Sequence, residues 1–163
     1  MKQDLTVGQK VVHPRYGAGI VIEKQVDYYV IHIPCSALKL QLPVSAAQVL
    51  DLRRISSKGT MNQALGILSA EPAELPRDYR ERRASLEAVL SKGEIRPLAH
   101  LVRDLFALQA RKSLSSAEAN LLSSAKRRLA GELALASDID LAVALQHVEA
   151  ALRGNPQASP ALA

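Results

Sequence analysis

Cysteine and long apolar segments are scarce in this 163-residue sequence. It contains one cysteine and no apolar run near the roughly 20 residues that a membrane-spanning helix needs. Cys35 cannot form an internal disulfide, and without a second cysteine it is a poor start for a metal site, so we expect it to be a buried structural residue. Residues Met1 to Asp4 lack the apolar stretch of a signal peptide. We therefore expect a cytoplasmic protein that has no membrane partner.

The motifs of common enzyme classes are also missing. Gly17-Ala18-Gly19 lacks the third glycine and the following helix of a dinucleotide loop, and there is neither a Walker lysine nor a Gly-x-Ser-x-Gly elbow. The histidines lack the spacing of metal ligands, and we expect turn or surface roles for them: His13, His32, His100 and His147. The sequence therefore predicts a protein that is not an enzyme, with no catalytic residue, metal, cofactor or small-molecule substrate.

Positive charge is concentrated in the middle of the chain. The formal net charge is +5, and residues 77–128 contain 12 Lys/Arg against 6 Asp/Glu. Residues 129–163 contain one Arg against 4 acidic residues. A basic segment of this kind is more often a solvated helix surface than a nucleic-acid site, so the charge alone leaves both interpretations open.

The hydrophobic period of the sequence changes near residue 56. Before it, short runs rich in β-branched and aromatic residues alternate with turns such as Pro14–Gly19. Four or five strands in about 55 residues favour a small, strongly curved sheet or barrel. After it, the period is helical. We predict an α+β protein, with a β domain over residues 1–55, an all-α helical bundle over 56–153 and a disordered tail over 154–163.

Capping residues and apolar spacing predict where the helices lie. Met61 to Ala70 forms a short apolar helix, and a second helix from about Asp78 to Leu90 stops before Gly93, a C-terminal cap. Apolar residues at three- and four-residue intervals mark the next helix: Leu98, Leu101, Val102, Leu105 and Leu108. Ser115 to Glu118 fits a capping box that starts a long helix through Leu135. The run from Ser137 to Asp140 similarly opens the last helix.

The segment from Val7 to Ile20 closely resembles the opening of bacterial transcription regulators of the CarD/CdnL type. Similar His-x-x-aromatic-Gly-x-Gly hairpins occur in transcription-repair coupling factors and in some UvrD-type helicases. The second half of the chain distinguishes the CarD/CdnL family from these proteins. There, Leu101-Val102-Arg103-Asp104-Leu105 and Gly131-Glu132-Leu133-Ala134-Leu135-Ala136 resemble the helical domain of the CarD/CdnL family in the same order. The resemblance covers about residues 5 to 150.

This resemblance implies a fold, a function and partners. The β domain is expected to be a small Tudor/SH3-like β-barrel that binds the β subunit of bacterial RNA polymerase. The helical domain is expected to contact promoter DNA just upstream of the melted region, without reading its sequence, and so to stabilise the open promoter complex. We expect a monomer that is associated with the nucleoid through RNA polymerase. The alternative is a protein–protein adaptor on the polymerase that does not wedge into DNA.

The resemblance also implies DNA-binding residues. A family tryptophan that wedges into the minor groove corresponds to Tyr79 here, and tyrosine keeps an aromatic face and an apolar edge. The basic candidates for neutralising phosphates are Arg77, Arg80, Arg82 and Arg83, with Lys126, Arg127 and Arg128 as a second patch. Alternatively, i,i+4 spacing lets two of these arginines form ion pairs at the helix surface: Asp78 with Arg82 and Glu87 with Arg83.

The polymerase-binding candidates lie on the predicted strands. Gln41 stands where a family arginine commonly contacts the polymerase, and Lys24 and His32 are the other candidates. An exposed strand edge could add to a strand of the β subunit, through main-chain hydrogen bonds rather than charge. We predict that residues 1–55 bind a β-subunit fragment.

Overall fold

The first half of the chain forms one antiparallel sheet. The computed structural model describes residues 4–47 and 52–154, and the predicted tail lies outside them except for Gly154. Five strands pair in the order β4-β3-β2-β1-β5. They are β1 (Lys10–His13), β2 (Gly17–Lys24), β3 (Tyr28–Ile33), β4 (Leu38–Pro43) and β5 (Arg53–Arg54). A 3-10 turn, Pro34–Ser36, joins β3 to β4, and the short helix α1 (Val44–Ala47) follows β4.

The alternation of apolar residues determines which face of the sheet is buried. In β3, Tyr29, Ile31 and Ile33 are almost completely buried, while the residues between them are partly exposed. The register places Ile31 beside Val21 and Tyr29 beside Leu42, so one face of three strands is apolar. This face forms the core of the sheet half.

The sheet is open, which corrects the expectation of a closed barrel. Its edge strands, β4 and β5, do not pair with each other among the residues that the structure describes. β5 contains only Arg53 and Arg54, and both pair with β1. This short strand therefore does not close the sheet onto β4. The register between β2 and β3 shifts between Val21 and Glu23, as at a β-bulge, a feature that increases the local twist of a strand. The α+β class, with a Tudor-like sheet domain before the helices, is confirmed.

In the described part of the chain, five helices follow the sheet, and capping residues mark several of their ends. They are α2 (Lys58–Leu68), α3 (Tyr79–Lys92), α4 (Ile95–Arg111), α5 (Ser116–Ser137) and α6 (Leu141–Leu152). The predicted capping box is confirmed, because Ser115 Oγ accepts from the Glu118 N–H at 3.1 Å and Glu118 Oε1 accepts from the Ser115 N–H at 3.2 Å. Gly93 ends α3 at φ 66°, in the left-handed region that favours glycine.

The helix boundaries differ from the prediction most clearly at the start of α2 and between α5 and α6. α2 begins at Lys58, earlier than predicted, because the Ser57 hydroxyl accepts a hydrogen bond from the Thr60 N–H at 3.1 Å. The run from Ser137 to Asp140 was predicted to open the last helix. Asp140 does precede α6, but Asp138 ends α5 in the left-handed conformation, at φ 53°.

The core of the helical half is formed mainly by α2, α4, α5 and α6. The predicted stripe of α4 faces it, with Leu108 partly buried and the others buried: Leu98, Leu101, Val102 and Leu105. At the centre, Leu129, Leu133 and Val148 are inaccessible to solvent. Complete burial of such a side chain stabilises the fold by about 1.5–3 kcal/mol. By contrast, α3 contributes one buried apolar side chain, Leu86, so its attachment depends on polar contacts as well.

Helix α5 also holds the two halves together, because it packs against β2 and the 3-10 turn. Its Glu132 accepts two hydrogen bonds from Arg53, at 2.6 and 2.7 Å. Its Arg128 donates to the carbonyl oxygens of Leu90, at 2.7 Å, and Pro14, at 2.8 Å. One helix is therefore bonded both to the sheet and to the end of α3.

The surroundings of Cys35, His13 and His147 can be compared with the roles predicted for them. Cys35 is buried as predicted, and burial raises the pKa of its thiol. His13 has a turn role, since its Nδ1 accepts from the N–H groups of Arg15 and Tyr16 at 3.0 and 3.3 Å. His147 is buried rather than at the surface, because it falls at the three- and four-residue spacing of the buried residues of α6.

Candidate nucleic-acid interface

Tyr79 is the first residue of α3 and is 39% exposed. Asp78, just before it, is the N-cap, and its carboxylate accepts a hydrogen bond from the Glu81 N–H at 2.9 Å. This cap satisfies a backbone donor and fixes the start of the helix at Tyr79. An aromatic side chain therefore stands at a helix N-terminus, where the helix dipole favours anions such as phosphate.

Arg82, about one turn along α3, is buried, which corrects its prediction as a DNA-contact residue. Its side chain is 5% exposed, and its Nε donates to the Glu118 carboxylate, which is 2% exposed. Its NH1 donates to the carbonyl oxygen of Pro76 at 3.0 Å. Arg82 also does not form the alternative pair with Asp78. Its guanidinium is therefore committed to contacts within the protein, although Arg82 also lines the groove beside α4.

The Arg82–Glu118 pair joins α3 to the N-terminal end of α5. The hydrogen bond from Arg82 lowers the pKa of Glu118 by more than burial raises it. Glu118 also completes the capping box with Ser115. One carboxylate therefore both starts α5 and fixes α3.

Contacts with Arg82, Arg83 and Ser115 orient the Tyr79 side chain. The Arg82 guanidinium carbon lies 5.8 Å from the centroid of the Tyr79 ring, within the range of a cation–π contact. Arg83 NH1 donates to the Tyr79 hydroxyl in a long hydrogen bond of 3.4 Å. Hydrogen bonding with Ser115, and then with Arg83, lowers the pKa of the Tyr79 hydroxyl. The ring is thus held over a buried ion pair while part of it stays exposed.

Three exposed arginines lie near Tyr79 in the sequence: Arg77, Arg80 and Arg83. Arg83 forms the i,i+4 ion pair with Glu87 that was the alternative interpretation, at 3.0 Å. Arg77 and Arg80 form no ion pair with any residue that the structure describes. Their guanidinium groups are therefore available to phosphate oxygens.

A groove of about 420 Å³ lies between α4 and the link that precedes α3. Three apolar and five charged residues line it: Leu75, Pro76, Leu108, Glu74, Arg77, Arg82, Arg111 and Lys112. Arg111 and Lys112 were not predicted as site residues. Their adjacency at the end of a predicted helix was a signal, but only the fold brings them to Arg77. Asp104 of α4 holds the link there, accepting from the Ala73 N–H at 2.9 Å.

Lys126 and Arg127, predicted as a second patch, do not line this groove. Lys126 pairs with Glu149 of α6 at 3.2 Å, and its side chain is 17% exposed. Arg127 Nε donates to the carbonyl oxygen of Cys35 at 3.0 Å. At about 100° per residue, Arg127 lies about half a turn around α5 from Glu118. It therefore faces the sheet rather than α3.

The polymerase-binding candidates divide between the two faces of the sheet. His32 and Gln41 alternate with the buried residues of β3 and β4, so they lie on the face opposite the sheet core. Lys24 lies opposite Tyr29 in the β2–β3 register, on the core side, and its ammonium group pairs with Asp4 at 2.7 Å. The structure brings His32 and Gln41 together and separates Lys24 from them.

Within residues 4–47 and 52–154, no cluster of three His, Cys, Asp or Glu side chains is placed to hold a metal ion. None of the helices in this part of the chain has the length and apolar character to cross a membrane. What the described residues do present is an open-edged sheet, joined to helices that expose an aromatic residue beside unpaired arginines. These are the features of a two-part binding protein.

Comparison with known proteins identifies the family. The family model described as "CarD, C-terminal domain" matches residues 63–149, and the one described as "CarD-like/TRCF RID domain" matches residues 5–56. The chain therefore belongs to the CarD-like family of transcription factors. Its RID domain implies interaction with RNA polymerase. The chain is also similar to "Putative transcription factor YdeB" of Bacillus subtilis (strain 168), at 25% identity over 135 residues, which is 78% of this chain and 88% of that protein.

Proposed function

We propose that this chain binds the β subunit of bacterial RNA polymerase through its sheet and stabilises the open promoter complex through its helices. Tyr79 contacts DNA at the upstream edge of the melted region. The proposal rests on the placement of Tyr79, whose exposed ring is held over a buried ion pair beside two unpaired arginines, Arg77 and Arg80. Membership in the CarD-like family supports the polymerase partner.

An oriented aromatic ring suits a wedge between base pairs. Unstacking a base step costs a few kcal/mol, which the apolar ring and the better contacts of kinked DNA offset. Arg77 and Arg80, with Arg111 and Lys112 in the neighbouring groove, neutralise phosphates without reading the base sequence. These contacts favour the melted DNA over the closed duplex. A preference of about 1.4 kcal/mol shifts that equilibrium about tenfold.

The sheet supplies the contact with the polymerase. β4 is an edge strand, and a strand of the β subunit can pair with its free main-chain groups. His32 and Gln41 lie on the exposed face of β3 and β4 at this edge, and the exposed Ile22 lies on β2. Docking raises the effective concentration of the helices at the promoter, so weak intrinsic DNA affinity is sufficient. One copy of the chain carries both contacts, and the polymerase holds it at the nucleoid.

The test is the lifetime of an open promoter complex, formed with bacterial RNA polymerase and challenged with competitor DNA, with and without the full chain. We expect the wild type to prolong the lifetime and Tyr79→Ala to abolish the effect. Tyr79→Phe keeps the ring and should retain most of it. Val143→Ala, which shortens an exposed apolar side chain on α6, is the matched control.

Two results would refute parts of this proposal. If Tyr79→Ala prolongs the lifetime as well as the wild type does, the DNA wedge is wrong, and the chain is an adaptor that contacts only proteins. If the wild type binds the polymerase but leaves the lifetime unchanged, stabilisation of the open complex is wrong altogether. Co-sedimentation of each variant with the polymerase establishes that docking is intact.

A further inference from the structure

A second basic site lies between the sheet and α5, away from Tyr79. It is a cleft of about 490 Å³. Both halves of the chain contribute polar side chains to it: Arg15, Tyr16 and Ser36 from the sheet half, and Asn120, Ser123 and Arg127 from α5. Of the residues that the structure describes, no Asp or Glu lines this cleft. Its donors therefore have no acidic acceptor within it.

Three guanidinium groups meet at this cleft without a counter-ion. Arg15, in the turn between β1 and β2, and Arg127 are exposed. Arg128 also lines the cleft but is only 8% exposed. Its terminal nitrogens donate to two backbone carbonyls. Its Nε has no hydrogen-bond partner among the described residues. None of the three forms an ion pair with a described residue. No ion pair among these residues therefore neutralises their positive potential, which attracts anions.

The walls of the cleft are fixed by contacts within the protein. Arg127 Nε donates to the Cys35 carbonyl, and its terminal nitrogens form no hydrogen bond with the described residues. The Cys35 thiol lies 3.7 Å from the Tyr16 carbonyl oxygen, and the Arg15 guanidinium carbon lies 5.6 Å from the Tyr16 ring centroid. At Gly131 a Cβ would lie 3.1 Å from that of Cys35, so glycine lets α5 approach the 3-10 turn closely. A site that is already formed loses little entropy when a ligand binds.

We propose that this cleft binds a phosphate group. Guanidinium groups with free terminal nitrogens donate in pairs to phosphate oxygens, and the hydroxyl and amide groups of Ser36, Ser123 and Asn120 supply further donors. The phosphate belongs either to a DNA backbone or to a soluble polyphosphorylated nucleotide, and a cleft of this size suits a small ligand. The site does not depend on the wedge proposed for Tyr79, since it lies on another side of α5.

The test is calorimetric titration of the full chain with inorganic pyrophosphate at low salt. We expect saturable binding. Arg15→Gln and Arg127→Gln should each weaken it at least about tenfold, because each removes a charge-assisted hydrogen bond. A charge-matched control, Arg54→Gln on β5, should leave the affinity within about twofold. If Arg80→Gln beside Tyr79 weakens binding and Arg127→Gln does not, pyrophosphate binds at the proposed DNA contact and the cleft proposal is overturned.

A DNA duplex added as competitor distinguishes the two sources of phosphate. If the duplex displaces pyrophosphate and Arg127→Gln weakens duplex binding, the cleft holds the DNA backbone. If pyrophosphate stays bound, the ligand is a soluble phosphate. Arg15 donates no side-chain hydrogen bond to a described residue, so Arg15→Gln tests the site without disturbing the contact of Arg127 with Cys35. Absence of saturable binding, or equal affinities of Arg15→Gln and Arg54→Gln, overturns the proposal.

Discussion

Replacement of Glu118 by alanine tests how the start of α3 is held in place. The substitution leaves the Arg82 guanidinium buried, with only carbonyl oxygens as acceptors. Removing one partner of a buried ion pair costs about 3–5 kcal/mol. Loss of the hydrogen bond from the Ser115 N–H adds about 1 kcal/mol. We therefore expect Glu118→Ala to lower the free energy of unfolding by about 4–6 kcal/mol.

This loss is large against the roughly 5–15 kcal/mol that stabilises a typical domain. Each kcal/mol lowers Tm by about 2–4 °C for a chain of this size, so a loss of about 4 kcal/mol lowers it by about 8–16 °C. Urea denaturation followed by circular dichroism measures the free energy. Glu87→Ala is the matched control, since its pair with Arg83 is about half exposed on each side and is worth less than about 0.5 kcal/mol.

A double variant separates the buried charge from the packing. Arg82→Met with Glu118→Leu replaces both partners by apolar side chains, and it should regain most of the stability that Glu118→Ala loses. If Glu118→Ala costs less than about 1 kcal/mol, the carboxylate is not the partner that compensates Arg82, and the argument fails. If the double variant is less stable than Glu118→Ala, burial of the charge is not the source of the loss.

Three further predictions concern pH, salt and the sheet surface. The pKa of Glu118 is lowered in the fold from an unfolded value of about 4.3. The stability that its charged form contributes is therefore present above that pH and is lost as the pH falls through the lower folded pKa. Glu118→Gln should make the free energy of unfolding, measured by urea denaturation, less dependent on pH in this acid range. If DNA contact is mainly electrostatic, the affinity for a duplex, measured by fluorescence anisotropy, falls log-linearly with salt concentration. Arg80→Ala should lower that slope by about 1, whereas Arg82→Ala should destabilise the fold instead. An unchanged slope for Arg80→Ala removes Arg80 from the contact. Gln41→Asp should weaken calorimetric binding of the full chain to a β-subunit fragment at least about tenfold, whereas Lys24→Gln, on the core side of the sheet, should not. Equal losses would contradict the assignment of that surface.

The parts of the fold that depend on near neighbours could be predicted from the sequence. The capping box at Ser115 and the glycine cap at Gly93 require only residues within about one turn, and the structure contains both. The helix predicted from about Asp78 begins at Tyr79, because Asp78 is a strong N-cap residue. Local sequence therefore predicted the start of α3, whereas the family resemblance singled out Tyr79.

Arg82 shows where local patterns stop being informative. Arg82 and Arg83 are adjacent, and each has a carboxylate four residues away. In the structure Arg83 takes its near partner, Glu87, whereas Arg82 pairs with Glu118, 36 residues away. Only the packing of α3 against α5 decides between these outcomes. The open sheet and the approach of Arg111 and Lys112 to the link before α3 have the same cause, because both depend on contacts between segments distant in sequence.

Helix α5 connects the two surfaces on which the proposed mechanism depends. Glu118 near its start fixes the helix that presents Tyr79, and Glu132, 14 residues further along, binds Arg53 of the sheet. At about 1.5 Å per residue these contacts are about 21 Å apart, and a helix of this length is stiff. A stiff connection holds the aromatic ring at a set distance from the polymerase-binding sheet. The gain in effective concentration on docking depends on that distance matching the promoter. The buried pairs of α5 therefore contribute to the proposed function through geometry, without contacting either partner.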